Sequence, residues 1–145
     1  MAENLKYITF ERIDINSTLD VFTDGFPKCG SVVIFEGRVR ADKIDDAVVE
    51  KIIYESYIEM AEKEFEKIEK EAIERFGVEK VIIKHRIGEV KVGEVALLVA
   101  VLSAHRKEGF SAIQYVIDEV KRRVPIWKRE ILSDGKTRWV EEHGH

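Results

Sequence analysis

Residues 103–130 read SAHRKEGFSAIQYVIDEVKRRVPIWKRE, and they concentrate the side chains best suited to hold and transform an anion. His105, Arg106 and Lys107 stand before an expected helix, Lys121, Arg122 and Arg123 close it, and Lys128 and Arg129 follow after one short turn. This window is net positive, although the whole chain carries a formal charge of −4. A basic island in an acidic chain points to a pocket for an anionic ligand rather than to a nucleic-acid surface, which needs positive charge spread along a face. Any single Lys or Arg here is more often a solvated helix-end charge; the clustering favours a site.

Lys121 falls on the border of the helix's apolar face, near the C-terminal end, where a lysine also favours the helix dipole and can bury its stem. Lys128 lies just past Pro125, and the bend there can bring its ammonium back toward Lys121. Two lysines confined together, with Arg122, Arg123 and Arg129 near, would each have a lowered pKa suited to nucleophilic or acid–base work. His105 and Arg106 open the helix, where exposed backbone N–H groups and a bidentate guanidinium suit phosphate or carboxylate. Glu130 shares a strand face with Lys128 and can orient it or an arginine. In a two-residue Asp134-Gly135 turn, Glu130 would face Trp139. Upstream, Arg38 and Arg40 flank Val39 at the end of an apolar strand and leave on the same face. His85 sits in a strand with no assigned role, and His143 and His145 lie in the tail with none. Cys29 has no partner for an internal disulfide and no chelating neighbours, so neither a metal site nor a thiolate site is expected.

The elements that must carry these residues follow from periodicity. A strand is expected over 5–12, then a short helix capped by Asn16 or Ser17, running through Phe22 and stopped by Gly25 and Pro27. Apolar strands follow over 31–40 and 48–57, joined by a polar connection. Ile58, Ala61, Phe65, Ile68, Ala72, Ile73 and Phe76 recur at three and four, an amphipathic helix ended by Gly77. Residues 78–87 read as a strand, 88–94 as a glycine-bounded turn, and 95–104 as a strongly apolar strand central to its sheet. The second long helix starts at Lys107 or Glu108, ends at Arg123, and shows Ile113, Val116, Ile117 and Val120 on one face. Strands at 126–132 and 137–140 flank the hairpin signal Asp134-Gly135. From residue 48 the order is β-α-β-β-α-β, an α+β fold with helices on a mainly antiparallel sheet and a C-terminal hairpin.

At 145 residues the chain fits one domain, 1–145. A single cysteine points to a reducing compartment, and neither a signal peptide nor an apolar run long enough for a membrane span is visible. A cytoplasmic protein with no membrane partner is expected.

The motifs VIFEGRVR (33–40), HRIGEVKVGE (85–94), SAHRKEGF (103–110) and KRRVPIWKRE (121–130), the last followed by GKTRWVE, together resemble the large, catalytic subunit of molybdopterin synthase. They span about residues 30–142 in a specific order. The resemblance implies an α/β hammerhead-like fold with an additional small sheet. It also implies sulfur transfer to cyclic pyranopterin monophosphate, forming the dithiolene of molybdopterin. The sulfur would arrive as the C-terminal thiocarboxylate of a small ubiquitin-like partner, whose Gly-Gly tail threads into a pocket. Two large subunits would form a central homodimer within a heterotetramer. On matching positions Lys121 and Lys128 are the catalytic lysines, and Arg38, Val39, Arg40, His105, Arg106, Lys121, Lys128, Arg129 and Glu130 bind substrate. No cofactor is implied, and no metal, since molybdenum enters later.

Two readings from other classes compete with this one. A non-catalytic module could hold an anion or nucleotide on the basic island, although the acidic chain lacks an aromatic-and-basic platform for RNA. A structural subunit could only dock a partner along an exposed strand edge. Convergence of Lys121, Lys128, Arg40 and His105 on one concavity favours the enzyme and scatter over convex surface counts against it; convergence is expected, within one chain or with one residue contributed across a dimer interface.

Overall fold

The computed structural model describes residues 5–140; the tail histidines His143 and His145 and the end of the GKTRWVE motif lie outside the described residues. Two sheets and three helices make up the described fold. One sheet has the order β1-β5-β7-β2, from Ile8–Thr9, Lys80–Arg86, Val95–Ser103 and Ser31–Arg38. The other runs β3-β4-β8-β9, from Lys43–Ile44, Ala47–Ser56, Ile126–Leu132 and Thr137–Val140, with β6 (Gly88–Lys91) also paired to β4. All pairings are antiparallel except β1 with β5. The mainly antiparallel α+β expectation holds, with one strand added between the helices.

Helix α2 (Ile58–Phe76) buries Ala61, Phe65, Ile68 and Ala72 along one stripe and ends on Gly77, whose φ of 67° suits a left-handed cap. Helix α3 (Arg106–Arg123) buries Gly109, Ala112, Ile113, Val116 and Val120. The two helices pack on each other and on the four-stranded sheet. Gly109 permits that approach: a Cβ there would lie 2.9 Å from Ser103 Oγ and 3.2 Å from Val33 Cγ2. Strand β7 lies between β5 and β2 and is buried on both faces, so its unbroken apolar run marks a central strand. Val99 and Val101 join the main core, while Ala100 and Leu102 pack with Phe22 of α1 (Ile15–Phe22).

Several local expectations shift. The first strand is only two residues long, because Glu62 of α2 accepts from the backbone N–H groups of Lys6, Tyr7 and Ile8 at 2.8, 3.0 and 2.7 Å. Helix α1 is capped by Asp14, which accepts from the N–H groups of Asn16 and Ser17, rather than by either of those residues. The polar connection before β4 holds a hairpin, β3 to β4, turned by Asp45 at φ 55°. Residues 88–91 form strand β6 instead of turn: Gly88, at φ 102°, redirects the chain from one sheet to the other and lets buried Val90 pair opposite Ile52. The C-terminal hairpin is one residue longer than a two-residue turn. Leu132 N–H donates to Lys136 O, and Gly135 takes φ 85°, so Glu130 faces Arg138 and Arg129 faces Trp139.

Candidate functional site

The seam between the two sheets is where chemistry-bearing side chains converge. A solvent-open cleft of about 120 Å³ is lined there by the end of β2, the 39–42 loop, β4, β5, the start of β7, the last turn of α3 and β8. Lys121 enters from α3 and Lys128 from β8, past the bend at Pro125. Arg38, Val39, Arg40 and Glu130 line the same space. The floor is apolar, with Phe35, Ile52, Leu97, Val120 and Val124, as a site for a ring with a charged appendage requires.

Each charged group has a local anchor. Strand β2 ends in an irregularity between Gly37 and Arg38, so the two arginines do not continue a regular strand face. Arg38 Nε donates to the carbonyl of Gly93 at 3.1 Å, and its Nη2 donates to the same oxygen. Arg40 pairs with Asp42 at 3.2 Å. Glu130 is 6% exposed and accepts from Arg138, whose Nη2 lies 2.7 Å away. The arginine that Glu130 orients is therefore on β9.

Six residues of the basic island lie elsewhere in this chain. Arg123 is half-buried between the helices, bound to Glu71 at 2.7 Å, Glu119 at 3.1 Å and Glu64 at 3.2 Å. Arg122 pairs with Glu119 at 2.5 Å. Successive helix residues turn by about 100°, so Lys121 faces the cleft while Arg123 faces α2. The expected crowding of both arginines on the lysines does not occur. Arg129 leaves β8 on the opposite face, stacked on Trp139 at 5.8 Å and 4.0 Å from Glu55. His105 and Arg106 sit at the far end of α3, roughly 22 Å along its axis from Lys121. With Lys107 they line a separate open depression against Gly30, Ser31 and Val32. His105 caps the helix, and its backbone N–H donates to Glu108 at 3.2 Å.

His85, to which the sequence assigns no role, stands in the cleft wall beside Tyr54. Burial pushes its pKa down to about 4, with the charges of Lys128 and Lys121 acting in the same direction and the Arg86 carbonyl opposing them. The signal was present: Val81, Ile83 and His85 alternate on the buried face of β5. Among the described residues no group of three or more His, Cys, Asp or Glu side chains comes together as a metal-ligand set. No described helix is long and apolar enough to cross a membrane.

The model of the MoaE protein family matches residues 8–123. The chain belongs to the MoaE family. Among its relatives, the molybdopterin synthase catalytic subunit of Pyrococcus abyssi is 49% identical over 116 residues, 80% of this chain and 77% of that protein. The crystal structure of molybdopterin synthase from Staphylococcus aureus superposes with a TM-score of 0.84 at 37% identity, covering 96% of each chain. A complex of subunits 1 and 2 of the molybdopterin-converting factor from Helicobacter pylori shares the fold, with a TM-score of 0.77 at 23% identity over 96% of this chain and 92% of that one. The MoaE match ends at Arg123, so the cleft residues Val124, Ile126, Lys128, Glu130 and Val140 lie beyond it.

Proposed function

We propose that this MoaE-family chain is a sulfurtransferase, the catalytic subunit of a molybdopterin synthase. It takes sulfur from the C-terminal thiocarboxylate of a small ubiquitin-like partner and adds it to cyclic pyranopterin monophosphate, making the dithiolene. The observation that carries this reading is the convergence of Lys121, Lys128, Arg38 and Arg40 on one cleft with an apolar floor. An anionic tail ending in two glycines is narrow enough to enter such a cleft, and the cations draw it in. As sulfur attacks, negative charge develops on the substrate; Lys121 and Lys128 stabilise it as cations or by donating protons. Arg38 and Arg40 orient the anionic substrate, with Val39 and Glu130 completing the wall.

His105 and Arg106 belong to the substrate site of a neighbouring copy. In one chain they stand at the opposite end of α3 from the lysines, so they reach a cleft only across a homodimer. The homodimer with a small subunit at each end forms a heterotetramer. Arg129 contributes from the back of β8, by holding the hairpin that carries Lys128. The reading is tested by mixing the protein with thiocarboxylated small subunit and cyclic pyranopterin monophosphate and following dithiolene formation. Product is expected in proportion to thiocarboxylate supplied; none, from folded protein that binds the partner's tail, would leave only a docking module.

A further inference from the structure

His85 stands in the wall of this cleft with no task in the reaction outlined above. It is 6% exposed, at the end of β5, where the chain leaves one sheet for the other. Its backbone N–H donates to Tyr7 O at 2.9 Å, which fixes the main chain, and its ring meets Tyr54 edge-to-face at 5.2 Å. Nδ1 lies 2.9 Å from the carbonyl oxygen of Arg86. A carbonyl only accepts, so Nδ1 carries the hydrogen; in the neutral ring Nε2 is then an acceptor. Burial keeps the ring neutral, as does the charge of Lys128 and Lys121.

The remaining charged groups of the wall have other capacities. Arg38, Arg40, Lys121 and Lys128 only donate. Asp42 accepts from Arg40, and Glu130 accepts from Arg138. Cations of this kind grip a phosphate but do not read the N–H groups of a heterocycle, which need acceptors at fixed positions. We propose that His85 is a specificity-determining residue of the cleft, its Nε2 accepting a hydrogen bond from a ring N–H of the pterin. The inference rests on the synthase reading and adds to it the group that separates the heterocycle from a bare phosphate.

The test uses the full chain and measures binding of cyclic pyranopterin monophosphate and of inorganic phosphate by calorimetry, for wild type, His85→Phe and His85→Gln. Phe keeps an aromatic ring edge-to-face with Tyr54 but removes the acceptor; the Gln amide oxygen can restore one near the Nε2 position. His85→Phe is expected to weaken pterin binding about tenfold, as loss of one buried hydrogen bond does, and to leave phosphate binding unchanged. His85→Gln should recover most of the loss. Equal pterin affinity in all three proteins overturns the proposal, and so does parallel loss of pterin and phosphate, which marks a merely structural role. Failure of the wild type to bind the pterin overturns the synthase reading together with this inference, and is told apart from either result by the wild-type titration alone. A measurement on unaltered protein covers the case of a variant that does not fold. The ¹⁵N resonance of His85 Nε2 should move on adding the pterin and stay in place on adding phosphate; a resonance indifferent to the pterin contradicts the proposal.

Discussion

Lys121 and Arg123 are two residues apart and carry the same charge, yet one faces the cleft and the other is enclosed by Glu64, Glu71 and Glu119. Helical rotation explains their divergence, and Glu119 is one turn away on the same helix, but Glu64 and Glu71 lie on α2, more than fifty residues away, and nothing local to the KRR run identifies them. The lysine pair was legible because Pro125 forces a bend between Lys121 and Lys128. His85 was overlooked because a single histidine in a strand carries no motif; its place in alternation with Val81 and Ile83 was the available clue. Its burial has a consequence for stability. The folded-state pKa of about 4 lies below the ordinary 6.5, so between those values the unfolded chain binds the proton that the folded chain refuses. Stability from this group is therefore fully present above pH 6.5 and is lost as pH falls toward 4, by about 3 kcal/mol in total. Urea denaturation at pH 7 and pH 4.5 should show a steeper acid loss for wild type than for His85→Phe. Parallel acid limbs would mean that His85 is charged or exposed.

At the level of elements, the long helices and β7 were readable because their apolar patterns run for nine residues or more. Short elements depended on partners that sequence does not reveal. Strand β6 exists because β4 offers it an edge, and β1 shrinks because Glu62 takes its N–H groups. The hairpin shift has a functional effect: one additional loop residue brings Arg138, not Trp139, opposite Glu130, which fixes a buried carboxylate beside Lys128. The packing of α2 on α3 rests in part on Arg123, whose side chain is 20% exposed and bound by three carboxylates. Arg123→Met leaves those carboxylates crowded without their cation and should lower unfolding free energy by about 2–3 kcal/mol, measured in urea. A loss under about 0.5 kcal/mol would place the helix pairing on apolar contacts alone.

For the whole molecule, the expectation that His105 would meet Lys121, Lys128 and Arg40 in one concavity is not met within a single chain, because α3 is a straight rod with the two clusters at its ends. A homodimer in which α3 of one copy serves the cleft of the other reconciles them, and it makes a distinct prediction. His105→Ala and Lys121→Ala proteins, each impaired alone, should regain activity when mixed and allowed to exchange subunits, since one cleft in the mixed dimer is then intact; up to about a quarter of wild-type turnover is expected for free exchange between equal amounts. Absence of any recovery, with exchange verified by mass spectrometry, would place both residues in the same chain's site. The central claim, that the seam between the sheets performs sulfur transfer through its two lysines, is tested most directly by single-turnover kinetics. Lys121→Ala and Lys128→Ala proteins are each saturated with cyclic pyranopterin monophosphate and mixed with thiocarboxylated small subunit, with substrate occupancy measured in parallel. The account predicts a fall of about 10²–10⁴ in the rate of dithiolene formation at unchanged fold. Transfer within about threefold of wild type, by folded and substrate-occupied variants, would contradict it.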